Sequence, residues 1–228
     1  MDKVPLAYPG QKILGGQGFM EEYIPGNYMG AITRAHEIFK TANPGDMVLG
    51  SGANFDKEKS CFFLKYCNIP IEVHYPSGTA HWLKPEKKVI NVSDRYLILL
   101  YLAQGSGLPL RNNWLTFLEL PGGPHHYAPF LKEGVEPLVE AFGKNPEEAW
   151  VAAKSFGATR ITMGSVGFIM PVLPKLPLAF VFWEGDEEFP PKANILFDQI
   201  SSDYLDTASL YILGINAARK LIIRNFHL

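Results

Sequence analysis

Leu176-Pro177-Leu178-Ala179-Phe180-Val181-Phe182-Trp183 runs directly into Glu184-Gly185-Asp186-Glu187-Glu188, and Ile195-Leu196-Phe197-Asp198 follows after a proline-rich step. Two apolar runs joined by four acids in five residues read as strand, tight turn, strand. Val166 to Val172 supplies another strand just before them, so three strands succeed one another with no helix between. That order predicts an α+β fold with a mixed or antiparallel sheet rather than the alternating order of a parallel one. Pro171, Pro174 and Pro177 each lack an amide donor, which places their segments at strand ends or an edge.

Toward the N-terminus, Cys61 to Tyr66 and Ile69 to Tyr75 form a predicted hairpin over Cys67-Asn68. Alternation sends Ile71, Val73 and Tyr75 to one face, with Glu72 and His74 on the other. Pro76-Ser77-Gly78 then turns the chain before His81-Trp82, so His74 and His81 could approach each other. A metal half-site of two histidines needs a carboxylate or third imidazole besides, and nothing local compels one.

Helices fill the remaining segments. One runs from a cap at Asn27 through Ile32, Ala35, His36 and Phe39 to a stop at Asn43-Pro44-Gly45-Asp46. Ser93 caps a second, whose apolar run Tyr96 to Ala103 is hydrophobic nearly all round and so belongs in the core. After a strand at Trp114 to Leu118 come helices over Val135–Phe142 and from an Asn145-Pro146-Glu148 start to Phe156. Asp206 caps a last helix reaching about Ile223. Residues 1–26, punctuated by Pro9-Gly10, Gly15-Gly16 and Pro25-Gly26, are expected to form an extended arm, leaving 27–228 as one α+β domain.

Composition narrows the function classes. With 47% apolar and 13% aromatic residues among 228, the chain can bury a substantial core. Its 21 basic and 23 acidic residues give a net charge of −2 without a basic stripe, so nucleic acid is not an expected partner. No apolar run reaches the roughly 18–20 residues that span a bilayer, and no secretory apolar segment follows Met1, so no membrane partner and a cytoplasmic location are expected. Cys61 and Cys67, six apart, provide neither a CxxC pair nor the thiolates of an iron–sulfur cluster, so no such cluster is expected and both read as core or rim thiols. Neither GxGxxG nor a Walker loop is present to suggest a nucleotide.

Two segments carry the chemistry that is legible. In Trp114 to Tyr127, Glu119 ends a strand and Pro121-Gly122-Gly123-Pro124 presents His125, His126 and Tyr127. Gly122 and Gly123 admit close backbone approach to a ligand, and His126 with Glu119 or an acid of the 184–188 turn would make a proton-transfer pair. In the acidic turn, Asp186 and Glu188 could join Asp198 around a hard divalent cation. Glu119, His126 and Asp186 are therefore the candidate catalytic groups. Gly122, Gly123, His125, Tyr127 and Trp183 are candidates for binding a cofactor, with a tetrapyrrole accommodated by the aromatic load and His126 or His125 as its axial ligand. The readings that follow are a small-molecule or cofactor-binding protein, a small acid/base or metal-assisted enzyme, and an accessory subunit whose arm packs on a protein partner or in a homodimer.

Trp114 to Gly123 (WLTFLELPGG) with Tyr127, Pro177-Leu178, Trp183 to Pro190 (WEGDEEFP), Ile195 to Asp198 (ILFD) and Tyr204-Leu205 ahead of a helix resemble, in order, the prokaryotic family domain of unknown function 3786. The likeness extends over roughly residues 30 to 220 and takes in Asn54-Phe55-Asp56, the run Tyr96 to Leu102 and Pro109-Leu110. It implies a setting in anaerobic metabolism, since some relatives look joined to iron–sulfur or corrinoid-linked modules. It implies no catalytic residue, and this chain with two cysteines departs from the cysteine-rich pattern.

Overall fold

The computed structural model describes residues 28–225, so the arm expected over residues 1–26 and the Asn27 cap lie outside the described residues. Among the described residues ten strands form two five-stranded sheets, every pairing antiparallel. Helix α1 (Tyr28–Thr41) leads into α2 (Pro44–Ser51). The first sheet follows as a meander of β1 (Asn54–Asp56), β2 (Cys61–Tyr66), β3 (Ile69–His74), β4 (Ala80–Trp82) and β5 (Lys88–Val89). Helix α3 (Val92–Gln104) then crosses to β6 (Trp114–Thr116). Helices α4 (Tyr127–Phe130), α5 (Glu136–Phe142) and α6 (Pro146–Lys154) precede β7 (Thr159–Ile161), β8 (Val166–Leu173), β9 (Leu176–Trp183) and β10 (Lys192–Asp198), and α7 (Thr207–Asn225) is the last described helix. The second sheet has the order β6-β10-β9-β8-β7.

This is the expected α+β architecture, and the strand–turn–strand reading of 176–198 is its centre. All of β9 but Trp183 is buried, because β8 and β10 flank it and helices α5 and α6 lie against those neighbours. Pro171 falls where the β8–β9 register shifts between Met170 and Leu173, the irregularity that a missing amide donor tolerates. Helix α3 is buried from Tyr96 to Leu102 between α1, α2 and α7, as its all-round hydrophobicity requires.

Several boundaries differ from the sequence reading. Asn43 does not only end α1: its side chain accepts from the amides of Gly45 and Asp46 and starts α2, with Pro44 at the first helical position. Asn91, two residues before Ser93, caps α3 by accepting from the Asp94 amide at 2.7 Å. The strand at Trp114 stops at Thr116, where a short 3-10 turn begins. The helix expected from Val135 begins at Tyr127 and passes through a π turn at Leu131–Val135 before α5. Asn145 donates its side-chain amide to Glu148 and so does not close the expected box.

The two sheets are fastened at the β2–β3 turn. Cys67 and Asn68 both take positive φ, as a two-residue hairpin turn requires, and the Cys67 amide donates to Val172 O in β8 at 2.7 Å. This fixes the first sheet's register, and with it the residues that each face presents.

Candidate functional site

Register decides which side chains meet on the first sheet. Phe62 pairs with Val73, Leu64 with Ile71 and Val73 with Ala80, and these buried residues form the face toward the core. The alternate set pairs Cys61 with His74, Phe63 with Glu72 and Glu72 with His81, so those side chains share the opposite face. Lys87, just ahead of the two-residue β5, reaches back to them.

The groups converge on one oxygen. His74 Nε2 lies 3.3 Å and His81 Nδ1 3.5 Å from Glu72 Oε1, and Lys87 Nζ is bonded to that same atom. Cys61 Sγ, a Glu72 carboxylate oxygen and a His74 ring nitrogen all lie within 4.8 Å of one another. The two imidazoles stand edge to face, with centroids 5.7 Å apart. Burial grades across the cluster: Cys61 is buried, Glu72 is 8% exposed, and the His74 and Lys87 side chains reach solvent. His81 Nδ1 is shut off from solvent and makes no hydrogen bond.

Charge is distributed unevenly. The bond from the Lys87 ammonium, helped by His74, holds the Glu72 carboxyl below the usual carboxylate range, although burial pulls the other way. Burial, and then the Glu72 charge, pushes the Cys61 thiol up. Cys61 is therefore a neutral thiol unless a cation arrives beside it, and its proton would leave on binding that cation. Sulfur, oxygen and one imidazole nitrogen converge, with a second imidazole facing the same oxygen, and these donor types suit a borderline transition-metal ion rather than magnesium or calcium. A tetrahedral ion with bonds of about 2.0–2.3 Å keeps its ligand atoms about 3.3–3.8 Å apart. The two separations from Glu72 Oε1, 3.3 Å to His74 and 3.5 Å to His81, fall in that range, while Cys61 Sγ lies within 4.8 Å of Glu72 and His74.

Phe63, opposite Glu72 in register, also lines a cleft of about 510 Å³ with Asn54, Leu64, Lys65, Pro171 and Leu173. Phe63 thus links the cleft's lining to the register position opposite Glu72.

The residues singled out in the sequence lie elsewhere, on the second sheet and its loops. Glu119 Oε2 accepts from the Thr116 amide at 2.8 Å and the Thr116 hydroxyl at 2.7 Å, bonds that keep this exposed carboxyl below its usual range. Asp186 Oδ1 accepts from the amides of Glu188 and Phe189 and shapes the acidic turn. Asp198 is fully buried, receiving the amides of Arg111 and Ile200 on Oδ1 and of Asn112 on Oδ2. Because Asp198 ends β10 and the acidic turn precedes its start, the strand separates Asp198 from Asp186 and Glu188 by about 20 Å.

Around the glycine loop, Gly122 has φ 74° and open space where a Cβ would sit. A Cβ on Gly123 would instead meet Phe117 O at 2.0 Å, so close packing on the preceding turn requires that glycine. His125 ends a 3-10 turn, His126 packs its ring 6.3 Å from Tyr211, and Tyr127 opens α4 half-buried against the core. Trp183 is 41% exposed at the end of β9.

Cys61, Glu72 and Lys87 are the cluster members that the sequence reading passed over. The signal for Glu72 was present, since alternation already placed it beside His74. What was missing was the β3–β4 register, which sets His81 opposite Glu72, and the return of Lys87 from beyond β4.

The family described as Domain of unknown function (DUF3786) matches residues 43–220, a span that includes both sheets and the whole cluster. No curated protein and no solved structure matches the chain. Among the described residues no helix is long and apolar enough to cross a membrane.

Proposed function

The chain belongs to the DUF3786 family, and we propose that it is a binding protein that holds a divalent transition-metal ion on the outer face of its first sheet. Cys61, Glu72 and His74 provide three ligands and His81 the fourth. The observation that carries this reading is the convergence of thiol, carboxylate and imidazole within 4.8 Å, next to a second imidazole nitrogen that is buried without a hydrogen bond. Buried polar atoms in folded proteins are nearly always satisfied, and a metal would satisfy this one. A site closed by four protein ligands would hold the ion firmly as a structural or carrier centre.

Cobalt(II) tests the assignment, because thiolate ligation produces a charge-transfer band that oxygen sites lack. One equivalent should bind with that band present, Cys61→Ser should abolish the band, and His74→Ala should weaken binding at least about tenfold. No saturable binding, or binding indifferent to both substitutions, sinks the proposal.

A second reading concerns the exposed aromatics beside the acidic turn. Trp183 and Phe189 are 41% and 59% exposed there, which supports a contact surface for a polar small molecule or protein partner. Under it, the Glu119–Tyr127 loop would form the other border. Replacing Trp183 and Phe189 together with Ser should then change the protein's sedimentation or its uptake of small molecules during purification, and an unchanged profile counts against it.

A further inference from the structure

Lys87 holds the carboxylate oxygen that a metal ion at this cluster would need. Its ammonium is bonded to Glu72 Oε1, the oxygen that both His74 and His81 face, and so it neutralises the cluster's only carboxylate. The other acid on this sheet face, Asp56, stands opposite Cys61 in register and is paired with Lys59 at 3.3 Å. Lys87 itself comes from the segment before a strand of just two residues, and its side chain is 57% exposed. An arriving ion can therefore turn it out into water without moving the core.

Resting on the metal reading above, we infer that Lys87 is a resident cation that sets which metals the site accepts. To bind, an ion must displace an ammonium from Glu72. Magnesium, calcium and manganese depend on carboxylate oxygen for most of their affinity and gain little from imidazole or sulfur. They compete with Lys87 on its own terms. Cobalt, nickel and zinc gain from His74, His81 and the Cys61 thiolate, contacts that Lys87 does not contest. Lys87 thus lowers the affinity of every ion, and lowers it most for the oxygen-seeking ones.

The experiment titrates Co²⁺ and Mn²⁺ into the wild-type chain, Lys87→Met and Lys87→Arg, with thermal melts confirming that all three fold. Lys87→Met should bind Co²⁺ about tenfold more tightly or better. Its Mn²⁺ affinity should rise by a larger factor, narrowing the cobalt preference, and Lys87→Arg, which keeps the charge, should behave like wild type. Binding of Co²⁺ by Lys87→Met but not by wild type supports the inference in its strongest form. Wild-type binding that Lys87→Met leaves equal or weaker overturns the role of Lys87 while the metal site stands. Failure of wild type and Lys87→Met alike to bind Co²⁺ overturns both.

Discussion

Asp94 and Glu72 each bind a lysine, on opposite faces of the same sheet, and the rest of their surroundings differ. Asp94 is 1% exposed, and its two oxygens divide their partners: Tyr66 and Asn216 donate to Oδ1, Asn91 and Lys220 to Oδ2. Those donors come from β2, α3's cap and α7, and the Lys220 ammonium also lies 4.9 Å from the Tyr66 ring centroid. Each Asp94 oxygen is addressed by two donors. Glu72 has three nitrogens crowded on one oxygen, of which His81 Nδ1 at 3.5 Å makes no hydrogen bond, and a thiol beside it. A carboxylate whose partners match its lone pairs fastens the fold, whereas one with surplus donors around it is placed to exchange a partner.

Breaking the satisfied pair should produce the largest effect. Asp94→Ala leaves Lys220 and Asn216 without their acceptor and should cost about 3–5 kcal/mol in denaturant unfolding. Cobalt affinity of the protein that remains folded should not change, and a loss of binding in step with stability would erase the distinction between the two regions. Next is Glu72→Gln, which should weaken cobalt binding at least about tenfold yet cost about 1 kcal/mol or less, since the Lys87 partner is largely in solvent.

Acid titration separates the regions more finely. The Glu72 carboxyl titrates below its ordinary value of 4.5, so its contribution to stability is complete above pH 4.5 and fades as pH falls through the lower folded value. The stability gap between wild type and Glu72→Gln should accordingly be flat at neutral pH and close below 4.5, measured by urea unfolding across pH. A gap that closes at higher pH would mean that Lys87 does not govern this carboxylate. The smallest effect is expected at Glu119→Ala: a slight fall in melting temperature from the loss of the Thr116 bonds, with cobalt affinity untouched.

Much of the fold could be read from residue order because its longest elements carry strong local signals. The run Leu176–Trp183 is too apolar to be anything but interior, and Tyr96–Leu102 is apolar on every side. Short strands escaped the reading: Asn54–Asp56, Ala80–Trp82, Lys88–Val89 and Thr159–Ile161 exist through pairing with a neighbour, not through their own pattern. The Glu72 cluster was half legible for the same reason. Alternation grouped Glu72 with His74 and the turn brought His81 near, but Lys87 and Cys61 enter through register, a property of two strands together. Conspicuous acids such as Asp186 and Glu119 drew notice through density or neighbourhood, and in the structure both cap turns.

Strand β3 serves two masters in alternate positions: Ile71 and Val73 look into the interior, Glu72 and His74 away from it. Its partner β2 is tied to the other sheet through the Cys67 amide. Exchanging one of these residues changes one face, whereas an inserted residue that no bulge absorbs changes both. A single-codon insertion would evert the whole set, burying ionisable groups and wetting aliphatic ones in the same step.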